Sequence, residues 1–254
     1  MRHFLKTIYN FSYFRPGMKA KFPVVAAVLR LSTKYEAPAL RQRAIDLLAT
    51  AYPSTLAAWD TRSRLRLVPP FEAEIGSLFA LAIETDVRAI LPGLYYAASK
   101  RSLSAMLTEL HSLPLNETVR QDVISKFVVG QDKLHRAEIK HILLFLDPSY
   151  QRAGCRTATD IGRLQSQASA CILKTVDVTE SYQQWCNDHP NDVGASLFVC
   201  EICCTLVANT IKEGRQKIWD SLPEMFGLPA WETLLAENDL EETIGPDSGK
   251  TFDA

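Results

Sequence analysis

The stretch FPVVAAVLRLSTKYEAPALRQRAIDLL, from Phe22 to Leu48, constrains the fold more than any other part of the chain. Val24, Val25, Val28, Leu29 and Leu31 wrap more than one side of a helix. A helix that is apolar nearly all round belongs in an interior. Pro23 suits its first turn, where the N–H that proline lacks would have no intrahelical partner. The segment TKYEAP ends the helix, because a residue before proline is pushed out of helical geometry. Pro38 then opens a second helix. Leu40, Ala44, Leu47, Leu48 and Ala51 form its apolar stripe, with Arg41, Gln42, Arg43 and Asp46 expected to face water. Pro53 closes it. Such a pair needs other elements to cover it.

The rest of the chain supplies mostly helical patterns. Residues 54–70 read as a connector holding Trp59, three arginines and the breaker Pro69-Pro70. The helical spacing from Phe71 to Lys100 is expected to divide at Pro92-Gly93. Residues 101–115 fit no single class. Asn116 is suited to N-cap a long helix carrying Val119, Val123, Phe127, Leu134 and Ala137, ending near Asp147-Pro148. Further helices are expected near 158–174 and 194–222. PEMFGLPAWETLL adds a turn and a last helical piece. Only the first dozen residues resemble a β-alternation, and no segment repeats another. The expected fold class is all-α, with little or no sheet.

A chain of 254 residues with 47% hydrophobic content can bury a substantial core. A net charge of −1 disfavours a broad electrostatic grip on nucleic acid or an anionic membrane. Arg62, Arg64 and Arg66 read as a solvated edge. No apolar run reaches membrane-spanning length, and the first residues lack the pattern of a signal peptide. A cytoplasmic or nuclear location is expected, with the six cysteines as thiols.

LKTIYNFSYF, the two helices after it and KYEAPALRQRAIDLL together resemble the closing part of a BTB/POZ domain. In that family an (L)xxIYxxxY segment precedes a helix and then KYxxPxLRxxAxxxL. The matching positions are Leu5, Ile8, Tyr9, Tyr13, Lys34, Tyr35, Pro38, Leu40, Arg41, Ala44 and Leu48. ILPGLYYAAS, VVGQDKLHRAEI with LLFL, and RQKIWDSLPEMFGLPAWETL resemble the helical extension of a large fungal set of BTB-containing proteins. The resemblance implies a C-terminal BTB remnant over 1–53 and a helical extension over 54–236, and the composition of 237–254, acidic and then rich in Gly, Asp and Ser, reads as a mobile acidic tail. It implies a non-catalytic protein–protein interaction module of adaptor type. Its partners would be other proteins, a cullin or a second copy among them where the opening part of the domain is present. No nucleic acid, membrane or small-molecule substrate is implied. In the family, strands and helices that carry most of the dimer surface and the cullin-contacting segment precede the matched part. Their absence leads to two expectations: bare apolar faces on the helices of Phe22–Ala51, and poor solubility.

Few residues are arranged for chemistry. CEICC gives Cys200 and Cys203 the spacing of half a zinc site, and Cys155 could add a third thiolate. A helical scaffold stabilised by cysteine-bound zinc is therefore the alternative reading. The plainer one makes these cysteines small buried groups on an amphipathic helix, with no cofactor. Glu138 and His141 have the i, i+3 spacing of di-iron bundles, but such bundles need a second copy and two more glutamates. GPDSGKT, from Gly245 to Thr251, has one residue too few for a phosphate loop. No serine lies in a G-x-S-x-G elbow. Trp219, Phe226 and Trp231 are expected to staple the last helices to the core.

Overall fold

In a computed structural model the described residues are 2–9, 13–142 and 201–239. Every regular element among them is helical, so the fold is all-α. The helices are α1 (Arg2–Tyr9), α2 (Phe22–Lys34), α3 (Pro38–Ala49), α4 (Leu56–Leu65), α5 (Glu74–Glu84), a 3-10 turn (Arg88–Ile90), α6 (Leu91–Ser99), α7 (Leu103–His111), α8 (Glu117–His141), α9 (Glu201–Asp220), α10 (Leu222–Met225) and α11 (Trp231–Asp239). The helices expected beyond His141 and before Glu201 lie outside the described residues.

α2 and α3 pack as an antiparallel pair, with Pro23 and Pro38 in their first turns as read from sequence. Val25, Val28, Leu29, Ala44 and Leu48 are wholly buried. The expectation of bare faces on Phe22–Ala51 is thus corrected. α1 and α5 cover α2, and the 3-10 turn covers α3. Burying each of these aliphatic side chains is worth about 1.5–3 kcal/mol for valine or leucine. Arg41 is a second correction. It is buried to 7% exposure, and its Nη2 donates to the carbonyl of Thr85 at 2.9 Å. That carbonyl sits at the open end of α5, where no intrahelical donor remains.

Other helices depart from the sequence reading for local reasons. Within the first dozen residues, the described Arg2–Tyr9 form a helix rather than a strand, because Phe4 and Thr7 share its inward face one turn apart. The connector contains α4, which buries only Leu56 and Trp59, too few apolar anchors to show as periodicity. Thr55 caps it, its hydroxyl accepting from the N–H of Ala58 at 3.3 Å. The break after α5 falls at Asp86, not at Pro92, which sits harmlessly in the first turn of α6. Asn116 caps α8 as expected, its Oδ1 accepting from Val119 N–H at 2.9 Å.

α2 and α5 end in the same way. After α2, Glu36 is left-handed at φ 51° and Ala37 N–H donates back to Ser32. After α5, fifty residues on, Asp86 has φ 53° and Val87 N–H donates back to Ala82. Both are Schellman closures, built without the usual glycine. Each turns the chain into a second helix that returns along the first. The molecule therefore contains a repeated hairpin that no residue pattern announced.

One continuous core joins both sides of position 53. The C-terminal helices enter it through aromatic rings. Trp219 stands 5.2 Å from Trp59 and its Nε1 donates to the Ser54 carbonyl at 2.7 Å. Trp231 Nε1 donates to the Trp219 carbonyl at 2.9 Å. Phe226 stacks on Tyr95 at 4.8 Å, and Phe79 stands edge-on to Tyr95. The stapling role expected for these three aromatics is what the geometry provides.

Candidate interaction surface

α1 has one inner and one outer face. Phe4 is buried and stacks on Tyr35 at 5.9 Å between ring centres. The Thr7 hydroxyl donates to the carbonyl of His3 at 2.9 Å. His3 Nδ1 and the Tyr13 hydroxyl share a hydrogen bond of 2.5 Å, which ties the helix to the segment that follows it. The helix is thus anchored along one side to α2 and the chain beyond.

Its other side is open and apolar. Leu5, Ile8 and Tyr9, at i, i+3 and i+4, are 43%, 52% and 86% exposed, and Tyr35 beside Phe4 is 52% exposed. Single exposed apolar residues are ordinary, but Leu5, Ile8 and Tyr9 on adjoining turns of α1 make a patch. Cations lie near it, with the exposed Glu36 next to Tyr35. Arg2 and Lys6 are exposed on α1, and Lys34 Nζ lies 5.7 Å from the Tyr35 ring. The first 35 residues contain seven lysines and arginines and no aspartate or glutamate. That single-sign run was the sequence signal for this face, hidden by a net charge near zero.

The residues that carry the BTB/POZ resemblance divide between core and surface. Ala44 and Leu48 are wholly buried, Arg41 is nearly so, and Pro38 opens α3. Leu5, Ile8, Tyr9, Lys34 and Tyr35 lie on the open side. Tyr13 is half-buried against His3.

The candidates for chemistry are not brought together. Cys155 and Cys200 lie outside the described residues, as does Gly245 to Thr251. Cys203 is on α9, where the backbone alone is described. Among the described residues no three His, Cys, Asp or Glu side chains group as a metal site would require. Glu138 is engaged by Lys100, whose Nζ donates to its Oε1 at 3.1 Å. Burial, then the charges of Lys140 and Lys217, hold His141 below the ordinary histidine range. Arg62 lies over the Trp59 ring at 3.5 Å and Arg66 donates to Glu74 at 2.5 Å, so these two arginines are structural. A cavity of about 10 Å³ between Leu56, Tyr96, Ile142 and Trp219 has room for about one water.

Comparison with protein-family models, with curated proteins and with solved structures gave no match to the chain.

Proposed function

We propose that the chain is a non-catalytic protein–protein interaction module of BTB-adaptor type, and that the outer face of α1 is its docking surface. The observation that carries this reading is the exposure of Leu5, Ile8 and Tyr9 on adjoining turns of α1, with Tyr35 exposed beside Phe4. These four residues belong to the segment that resembles a BTB/POZ domain. Their side chains are presented to solvent, where a protein partner gains their burial.

The partner class this reading implies is other proteins, a cullin or a second copy of the chain among them where the opening part of the domain is present. The purified protein is mixed with each, and the mixtures are sized by chromatography with light scattering. A complex or dimer is expected. Leu5→Glu should weaken it at least about tenfold, because a carboxylate in the centre of an apolar contact loses its hydration without gaining a partner. A chain that stays monomeric and ignores the cullin counts against the proposal, as does a Leu5→Glu complex of undiminished affinity.

The zinc-stabilised scaffold is decided by elemental analysis of protein purified without added metal. Close to one equivalent of zinc would favour it over the adaptor reading.

A further inference from the structure

We infer that α1 is a latched strap: it parts from α2 while the rest of the fold stays packed, and the hydrogen bond between His3 and Tyr13 is the latch that keeps it closed. The inference rests on the reading of the outer face of α1 as a docking surface, and it adds a control on when that face exists.

α1 is weakly built as a helix. It has eight residues, and helices shorter than about 12–15 residues are marginal in water without tertiary support. Its first turn holds Arg2 and no acidic residue, the wrong sign of charge for the N-terminal end of a helix dipole. Its tertiary support is thin as well. Phe4 is its one buried apolar side chain, and the ring it stacks on, Tyr35, is itself half exposed. Thr7, the other buried residue, turns its hydroxyl to the His3 carbonyl of its own helix, so that bond does not tie α1 to anything else. By contrast α2 buries Val25, Ala26, Val28 and Leu29. An element with few buried apolar contacts opens at a lower free energy than the core it lies on.

The His3–Tyr13 bond spans the boundary between strap and body. His3 Nδ1 and the Tyr13 hydroxyl lie 2.5 Å apart, and their rings stack at 6.1 Å. Lys6 Nζ, one turn on, lies 5.5 Å from the centre of the Tyr13 ring. Tyr13 packs on the core, and Phe14 next to it is buried there. Tyr13 therefore stays with the body when α1 leaves, and opening breaks the bond. An open strap also loses the helical spacing that brings Leu5, Ile8 and Tyr9 together. A protein partner that needs these three side chains on one face draws the equilibrium towards the closed form.

Hydrogen exchange of the full chain, read amide by amide with no partner present, tests this. Relative to their unfolded-state rates, the amides of Lys6, Thr7, Ile8 and Tyr9 should exchange at least about a hundredfold faster than those of Val28 and Leu29. Their exchange should depend little on low urea, as a local opening does. Tyr13→Phe keeps the ring and removes the hydroxyl, and should raise exchange across α1 about fivefold. His3→Ala added to it should change the rates little further, because the bond is already gone. Equal protection and equal urea dependence in α1 and α2 would make α1 part of the core unit and overturn the strap. Unchanged rates in Tyr13→Phe, or effects of the two substitutions that simply add, would overturn the latch. Exchange in the free chain judges the strap, and partner binding by Leu5→Glu judges the docking surface. Failure of one is thus told apart from failure of the other.

Discussion

At Gly130 the absence of a side chain lets the Phe226 ring lie directly on the backbone of α8, in space that a Cβ would occupy. Gly214 does the same for α9 against the carbonyl of His141. Gly130→Ala should therefore cost about 1–3 kcal/mol of stability by overpacking, measured by urea unfolding. A neutral substitution would mean that Phe226 is free to move. Tyr95 and Tyr52 make a second point at this scale. Burial raises both phenols well above the ordinary tyrosine range, with Glu74 adding to the effect on Tyr52 and Asp122 on Tyr95. A folded-state value above the unfolded one contributes stability that is complete below pH about 10 and is lost as pH rises beyond it. Ultraviolet titration should show these two phenols ionising only as the protein unfolds, and Tyr95→Phe should reduce the alkaline loss. Ionisation of both in the folded protein would contradict the packing. Arg41 was not legible from sequence. Helical spacing puts it beside water-facing residues, and only the approach of α5 supplies the carbonyl that draws it inward.

Among the elements, the two hairpins explain why some boundaries could be read and others could not. α2 and α3 carry their prolines at their starts, so their limits follow from local chemistry. The α5 break gives no such sign. Asp86 adopts a left-handed conformation that glycine usually takes, and Pro92 draws attention to the wrong place. α4 was missed because two buried anchors on ten residues leave almost no periodic signal. Non-glycine closures also carry a cost. Glu36→Gly, at φ 51°, should stabilise the protein by up to about 1 kcal/mol, read as a higher midpoint in chemical denaturation. A lower midpoint would show that the Glu36 side chain contributes more than its backbone strain removes.

For the whole molecule, the docking proposal depends on where the enclosed core stops. The α2–α3 hairpin lies inside it, covered by helices of its own chain, while the outer side of α1 lies beyond it. The sequence identified the hairpin as an interior element but not which later helices would cover it, since those contacts span tens of residues. It held the basic run beside α1 in plain view, yet a net charge of −1 averaged that run against the acidic C-terminal part. Urea unfolding of Ile8→Gln beside Leu29→Ala separates the two regions most sharply. Ile8→Gln should change stability by less than about 0.5 kcal/mol, as on an exposed surface. Leu29→Ala should cost about 2–5 kcal/mol, as in a filled core. Comparable losses from both would place the α1 face inside the core and remove the docking surface proposed for it.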